Sequence, residues 1–172
     1  QSTFRGRLAA DPDLPGGEVE EDGRQRWFSL TEINELRRKM KINRTSLMPK
    51  RPAGKRAIRV AISNFKGGAG KSTVALHMAH AAALDGYRVL VVDFDPQSNV
   101  SMMLAGLDRW GELRGGGQTI DQYFHQYVYG GEPRFFHELI GRNVSDIAGD
   151  PQLDLLISTP EFRYIEREAL HV

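Results

Sequence analysis

The sequence predicts an α/β fold in which a parallel sheet is flanked by helices. Two mainly apolar runs, 57–63 and 88–95, support this prediction, because continuously apolar strands are typical of parallel sheets covered on both faces. Between them, the alanine-rich segment 71–85 carries apolar residues at helical spacing. Strand, helix and strand within about 40 residues form a βαβ unit, which we expect to have a right-handed crossover.

A glycine-rich loop joins the first strand to this helix, and its sequence over residues 64–73 is N-F-K-G-G-A-G-K-S-T. Gly67, Gly68 and Gly70 allow a tight turn that brings backbone N–H groups close to an anion. The positive end of the following helix points at the same place. Lys71 is placed to reach the β and γ phosphates, and the Ser72 hydroxyl to ligate Mg²⁺. The loop therefore predicts a binding site for a nucleoside triphosphate with its magnesium ion.

Two acidic residues, Asp93 and Asp95, stand at the end of the second strand. In an open α/β sheet the ligand lies beyond the carboxyl ends of the strands, so we expect both carboxylates to lie near the loop. Two carboxylates beside a triphosphate suit the organisation of Mg²⁺ and the positioning of an attacking water. The alternative is that a strand-end aspartate caps the following helix, which could hold for one of the two without excluding the other.

The loop also departs from the general phosphate-loop formula, because Phe65 stands where that formula has glycine and Lys66 precedes the glycine pair. The pattern K-G-G-x-G-K-[ST] resembles the deviant Walker A loop of the ParA/MinD family of ATPases. Residues 93–99, D-F-D-P-Q-S-N, resemble the D-x-D-P-Q-x-N segment of ParA-type partition ATPases, with Ser98 where members usually have a smaller residue. The similarity extends over roughly 27–105 to the RepA proteins, the ParA homologues of plasmid replication–partition operons.

This resemblance implies a P-loop NTPase fold, ATPase activity, and ATP and Mg²⁺ as ligands. It implies that Lys66, the signature lysine, crosses a nucleotide-sandwich dimer to the phosphates of the partner. Lys66, Lys71 and Asp95 are then the catalytic candidates, with Asp95 positioning the hydrolytic water, and Ser72 and Asp93 are the metal candidates. The implied nucleotide-binding set is Lys66, Gly67, Gly68, Ala69, Gly70, Lys71, Ser72 and Thr73.

The function that the resemblance implies is DNA partitioning, the segregation of plasmid or chromosome copies. ATP would drive formation of a homodimer that binds non-specific or operator DNA, and hydrolysis, stimulated by a ParB-like centromere-binding protein, would release the DNA. One alternative is a MinD-like membrane-associated positioning ATPase, which needs an amphipathic C-terminal helix that this chain does not reach. Another is a nucleotide-gated DNA-binding switch with negligible turnover, against which the presence of Asp95 counts.

The residues ahead of the first strand predict a short basic helical arm. We expect 1–26 to be a flexible arm, because its acidic, glycine and proline residues lack periodicity. Ser29 and Glu32 form a capping-box pattern for a helix that ends near Met40. From Arg37 to Arg59 there are ten basic residues and no acidic one, and this run is either a DNA-contacting patch or a solvated linker. We expect 27–56 to be a basic helical segment and linker ahead of the core domain. The DNA-binding candidates are Arg37, Arg38, Lys39, Lys41 and Arg44.

The remaining sequence, 57–172, is expected to be the N-terminal part of a P-loop ATPase domain. We expect helices over 97–104 and 119–129, a loop over 106–118, and a strand over 153–158 followed by a helix. In the family the Walker B strand comes later still, and the chain starts with Gln1, so we expect a fragment that carries a partial domain. The resemblance does not imply that this fragment hydrolyses ATP by itself. A formal charge of +1 gives no overall polyanion-binding signal. The absence of cysteine fits a reducing, cytoplasmic compartment, and no apolar run is long enough to span a membrane. Association with the nucleoid, without membrane contact, is what the resemblance implies.

Overall fold

The structure, a computed structural model, describes residues 4–21, 23, 25–42, 45–47, 53–145 and 153–169. The chain divides into two compact units, one formed by 1–58 with 84–87 and the other by 59–83 with 88–172. The elements of the first unit are α1 (Phe4–Ala10), β1 (Glu18–Val19), β2 (Arg26–Trp27), α2 (Leu30–Lys39), β3 (Lys41–Ile42) and β4 (Thr45–Ser46). Strands β1 and β2 form one antiparallel pair, and β3 and β4 form another.

Helix α2 begins where the capping pattern predicts. The Ser29 hydroxyl accepts a hydrogen bond from the backbone N–H of Glu32 at 3.2 Å, and Glu32 Oε2 accepts one from the backbone N–H of Ser29 at 2.9 Å. Two of the N–H groups that lack partners at a helix start are thereby satisfied. The predicted helix over about 30–40 is confirmed.

The first 26 residues differ from the expectation of an arm without regular structure, because they contain α1 and the β1–β2 pair. Glu18 stands opposite Trp27 in the pair, and the indole of Trp27 donates to Glu20 at 3.2 Å. The rings of Phe4 and Phe28 meet edge to face with centroids 6.1 Å apart. These are pairings between residues distant in sequence, which local periodicity does not reveal.

The second unit contains α3 (Lys71–Leu84), β5 (Val89–Val92), α4 (Asn99–Gly115), α5 (Ile120–Val128), a 3₁₀ turn (Phe136–Glu138), β6 (Leu153–Leu156) and α6 (Phe162–Ala169). Strands β5 and β6 are parallel, in register from Val89 opposite Leu153 to Val92 opposite Leu156. Strand β6 and the helices after residues 70, 98, 119 and 161 lie where the sequence predicts. The α/β class with a parallel sheet is confirmed.

Alternate residues of β6 supply the two sides of the core. Leu153 and Leu155 belong to one buried cluster, together with residues of α3 and α4, whereas Leu156 belongs to a second cluster, with residues of α5 and α6. Successive side chains of a strand point to opposite faces. The short parallel sheet is therefore covered on both faces by helices.

The predicted first strand, 57–63, does not form. Its residues are in no strand, and Ile58 and Val60 expose 88% and 64% of their surface. A buried parallel strand needs a neighbour for its backbone N–H and C=O groups. In the structure β5 and β6 pair with each other, and no described strand pairs with these seven residues. The expected βαβ unit around the loop is thus present only as loop, helix and second strand.

The segment 106–118, expected to be a loop, is helical as far as Gly115. Helix α4 is kinked at Gly106, whose φ of 72° and ψ of 163° are not helical, and then resumes. The resumed part is held by tertiary contacts, because Leu113 is 1% exposed and the Trp110 indole donates to the carbonyl of Ser158 at 3.2 Å. Burial of Leu113 and the hydrogen bond of Trp110 therefore favour a helix in this segment more strongly than its glycine content favours a loop.

Within the described part of the chain, no helix is both long and apolar enough to span a membrane.

Candidate nucleotide-binding site

The glycine loop contains two glycines whose backbone conformation other residues rarely adopt. Gly68 and Gly70 have φ values of +69° and +76°, in the left-handed region that side chains disfavour. At Gly67, Gly68 and Gly70, no heavy atom of the described residues lies within 4 Å of the position that a Cβ would take, beyond the chain neighbours. Gly68 and Gly70 are therefore explained by the backbone conformation and not by packing against another element, whereas nothing in the structure requires glycine at position 67.

The loop leads directly into helix α3. At its start, the backbone N–H of Lys66 donates to Asn64 Oδ1 at 2.9 Å. At its end, the carbonyl of Gly70 accepts the backbone N–H of Val74 at 2.9 Å, which is the first hydrogen bond of the helix. The N–H groups of the first helical turn, beginning at Lys71, point back toward the loop, where they favour an anion. Lys66 is exposed, and the Lys71 and Ser72 side chains are half-buried.

Asp93 follows β5 and is 5% exposed. Its Oδ2 accepts hydrogen bonds from the Ser101 hydroxyl at 2.7 Å and the Ser101 backbone N–H at 3.0 Å. Its Oδ1 accepts the backbone N–H of Asp95 at 3.0 Å. Burial raises the pKa of Asp93, and the hydrogen bonds from Ser101 and Asp95 oppose that rise by stabilising the carboxylate.

Asp93 thus caps helix α4 from outside the helix. Ser98 occupies the N-cap position of α4 but makes no capping bond through its side chain, and it adopts a φ of 58°. The Asp93 carboxylate instead satisfies the N–H of Ser101 in the first turn. The capping alternative considered for the two aspartates therefore applies to Asp93. Its assignment as a metal ligand stays a prediction.

Asp95 is less constrained than Asp93. It is half-buried, and its Oδ1 accepts the backbone N–H of Gln97 at 2.9 Å, which closes a turn ahead of α4. Its Oδ2 has no hydrogen-bond or ion-pair partner among the described residues. One oxygen of Asp95 is therefore available to a water or an ion, which suits the role predicted for it.

The loop and the aspartates belong to the same compact unit, but no hydrogen bond or ion pair between them is found within the described ranges. Asp93 and Asp95 are brought together, whereas the expected meeting of both strand ends at one sheet edge is not formed, because the first strand is absent. Across the described residues there is also no cluster of three or more His, Cys, Asp or Glu suited to a metal. Mg²⁺ usually keeps several waters and binds one or two carboxylates plus phosphates, so the Ser72 hydroxyl and the loop fit Mg²⁺ carried by a nucleotide.

The basic candidates for DNA contact fall into three groups. Arg37 donates to Asn34 Oδ1 at 3.1 Å, and Lys39 pairs with Glu35 at 2.6 Å, the contact that chiefly raises the pKa of Lys39. Arg38 and Lys41 are exposed, and their side chains have no ion-pair partner among the described residues. Arg44 lies outside the described residues. Of these candidates, Arg38 and Lys41 are thus the two described residues that are exposed and make no ion pair within the described part of the chain.

Known proteins are similar to this chain over the residues that form the loop and the aspartates. The family model described as the CobQ/CobB/MinD/ParA nucleotide binding domain matches residues 60–155, more than half of the chain. The chain belongs to this family. The match includes the glycine loop, both aspartates and all of helix α3, so the resemblance to ParA/MinD proteins noted in the sequence is confirmed.

Individual relatives are similar over part of the chain. A protein named "Putative replication protein A" from Rhizobium rhizogenes is 39% identical over 84 residues, covering 47% of this chain and 21% of that protein. A protein of the same name from Sinorhizobium fredii is 36% identical over 107 residues, covering 60% of this chain and 26% of that protein. The chromosome-partitioning ATPase Soj from Thermus thermophilus is 51% identical over 43 residues, covering 25% of this chain and 17% of that protein.

The chain spans about a quarter of the length of each of the two relatives named replication protein A. No solved structure matches it significantly.

Sequence reasoning missed one residue of this site, Ser101. It lies eight positions after Asp93 and within α4, and an isolated serine in a helix carries no signal of its own. Only the fold shows that its hydroxyl and its N–H both meet the Asp93 carboxylate.

Proposed function

We propose that this ParA/MinD-family chain is the nucleotide-binding part of an ATPase that partitions plasmid or chromosome DNA. ATP with Mg²⁺ binds at the glycine loop, the bound nucleotide closes a homodimer, the dimer binds DNA, and hydrolysis releases it. Lys71 and the loop N–H groups bind the β and γ phosphates, Ser72 ligates the metal ion, and Asp95 orients the attacking water. Lys66 reaches the phosphates bound by the second copy.

The observation that carries this proposal is the loop itself. Two glycines at positive φ open directly into the start of α3, with Lys71 as the first helical residue. Binding of a triphosphate requires backbone N–H groups and a lysine directed at the same phosphates, and a glycine loop that opens into a helix beginning with lysine supports this requirement. The names of the relatives, which include replication protein A and a chromosome-partitioning ATPase, support the DNA-partitioning role.

The position of Lys66 supports its separate role. It is exposed, and its backbone is held by Asn64 at the entrance of the loop. No ion pair of its side chain occurs in the part of the chain that the structure describes. A lysine in this position is free to reach a phosphate of a second molecule across an interface.

Nucleotide binding is tested with a fluorescent ATP analogue and Mg²⁺ on the 172-residue chain. Lys71→Ala should weaken binding by about tenfold or more, because it removes a charge-assisted contact to the phosphates. Lys55→Ala, which removes the same charge from an exposed lysine outside the loop, is the control and should leave the affinity unchanged. Equal affinities of the wild-type and Lys71→Ala chains would contradict the proposed site.

Turnover is tested on the full-length protein with and without DNA. Lys66→Ala should keep nucleotide binding in the monomer but lose DNA-stimulated phosphate release and nucleotide-dependent dimerisation, measured by light scattering. Hydrolysis that responds neither to DNA nor to Lys66→Ala would contradict the proposal that a nucleotide-bound dimer takes part in the cycle. Binding of nucleotide and DNA without measurable phosphate release would instead favour the nucleotide-gated switch.

The DNA contact is tested by the salt dependence of binding. Arg38→Ala and Lys41→Ala should each weaken binding to unrelated DNA sequences about equally and reduce the salt slope by about one. Lys39→Ala is the matched control, because the Lys39 ammonium is already paired with Glu35. An equal loss of affinity in all three variants would argue for a diffuse charge effect and against a defined patch.

A further inference from the structure

Behind the two aspartates lies a buried hydrogen-bond relay that extends from the end of β6 to Asp95. The backbone N–H of Ser158 donates to Ser101 Oγ at 3.0 Å, and the Ser101 hydroxyl donates to Asp93 Oδ2 at 2.7 Å. Asp93 Oδ1 in turn accepts the backbone N–H of Asp95 at 3.0 Å. Ser101 and Ser158 are 0% exposed. The relay therefore runs through the interior of the unit to the rim of the candidate site.

The direction of the relay follows from the chemistry of its groups. A backbone N–H only donates, so the oxygen of Ser101 is the acceptor from Ser158. The Ser101 hydroxyl hydrogen is then directed to the carboxylate, which in its ionised form only accepts. Ser101 thereby has its hydroxyl oriented by β6 and, through its hydroxyl and its N–H, holds one oxygen of Asp93.

The remaining oxygen of Asp93, Oδ1, holds the backbone of Asp95 in place. Because Ser101 holds Oδ2, Oδ1 is presented to the backbone of Asp95 and fixes the turn that carries its side chain. A hydrogen bond to an ionised group is stronger than one between neutral groups, so the loss of one such bond to Asp93 weakens this link appreciably.

We infer that Ser101 is a positioning residue of the nucleotide site, which holds Asp93 and through it sets the orientation of Asp95 toward the water molecules around magnesium-bound nucleotide. This inference rests on the proposed function, because it takes Asp95 to act on a nucleotide bound at the loop. Ser101 itself touches neither the nucleotide nor the metal ion; it acts through the carboxylate of Asp93.

The test compares variants of the 172-residue chain. Ser101→Ala removes the hydroxyl and keeps the backbone N–H, and Ser101→Cys replaces the hydroxyl with a weaker donor of similar size. Ser101→Thr keeps the hydroxyl and is the rescue variant. Ser158→Ala is the matched control, because the Ser158 hydroxyl is buried without a hydrogen-bond partner among the described residues, while its backbone N–H is retained. Urea unfolding identifies the variants that fold.

Two quantities are measured on each folded variant. The first is hydrogen exchange of the Asp95 backbone amide without nucleotide, which reports its bond to Asp93. The second is the ratio of the ATP dissociation constants with EDTA and with Mg²⁺, which reports the contribution of the metal ion. In Ser101→Ala, we expect Asp95 exchange to become about tenfold faster and this ratio to fall about tenfold, as for one lost bond to a carboxylate. Ser101→Cys should lie between alanine and wild type, and Ser101→Thr and Ser158→Ala should resemble wild type.

Two outcomes overturn the inference. Unchanged Asp95 exchange in Ser101→Ala would show that the relay does not hold the turn. Faster exchange of the Asp95 amide, with an unchanged effect of Mg²⁺ on ATP affinity, would show that Ser101 stabilises the turn but does not position Asp95 for the nucleotide. If the wild-type chain binds no nucleotide under either condition, the proposed function fails and the Mg²⁺ part of the inference fails with it. The exchange measurement would still decide the relay separately.

Discussion

Replacing Gly70 with alanine should destabilise the chain, although space for a methyl group is available. The φ of Gly70 is +76°, and no heavy atom of the described residues lies within 4 Å of the added Cβ beyond the chain neighbours. Its carbonyl also accepts the first hydrogen bond of α3, from Val74 at 2.9 Å. The backbone therefore cannot relax to a negative φ without disturbing the start of the helix. The cost is conformational and not a clash.

The size of the effect follows from two opposing contributions. A left-handed conformation costs a residue with a Cβ about 1–2 kcal/mol. Alanine also restricts the unfolded chain, which offsets this cost by about 0.4–1 kcal/mol. The net loss in the free energy of unfolding for Gly70→Ala should therefore be about 1 kcal/mol.

Gly111→Ala is the matched control. Gly111 lies in the helical part of α4, and no described heavy atom contacts an added Cβ there either. Alanine in a helix interior is more favourable than glycine by about 0.5–1 kcal/mol. The same chemical change should therefore stabilise the chain at position 111 and destabilise it at position 70, a difference of about 1.5–2 kcal/mol.

The assay is urea unfolding of both variants without nucleotide, followed by far-UV circular dichroism and analysed by linear extrapolation. The nucleotide affinity of Gly70→Ala, measured in parallel, should also fall, because the loop no longer holds its N–H groups in place. A Gly70→Ala chain as stable as Gly111→Ala would refute the reasoning. It would mean that the positive φ of Gly70 is not imposed by the fold.

Three further predictions follow from the core and from the capping box. Leu155→Ala should cost about 2–5 kcal/mol in urea unfolding, because Leu155 is 0% exposed. Gly141→Ala should cost about 1–3 kcal/mol in the same assay, because the new Cβ would stand 2.8 Å from Cδ1 of buried Leu113; wild-type stability would contradict that packing. The backbone N–H of Ser29 holds the pKa of Glu32 below its usual value of 4.5, so the stability that Glu32 adds is present above about pH 4.5 and is lost as the pH falls through the lowered pKa. Wild type and Glu32→Gln should therefore converge in stability in acid, and a constant difference across the pH range would contradict this assignment.

Elements with local chemical signatures were predictable. The capping box placed the start of α2, and the alternation of glycine and lysine placed the loop and α3, because each depends on residues only a few positions apart. The apolar run before Asp93 likewise gave β5. For the same reason, the family was recognisable from two short motifs.

Elements that depend on distant partners were not predictable. The run 57–63 has the composition of a buried strand, but composition does not provide the neighbouring strand with which its backbone must pair. Conversely, the glycine-rich end of α4 is helical because Leu113 and Trp110 are held by residues far along the chain.

The sequence by itself determined the chemistry of this protein: a phosphate-binding loop with its two lysines, a pair of aspartates after a buried strand, and membership of a nucleotide-binding family. Only the tertiary structure decided how the surroundings of the two aspartates differ. Asp93 is buried and held by Ser101, whereas Asp95 keeps one carboxylate oxygen without a partner among the described residues. The physical reason is that residue type fixes which bonds a side chain can form, whereas burial and the packing of β6 and α4 decide which of those bonds are formed.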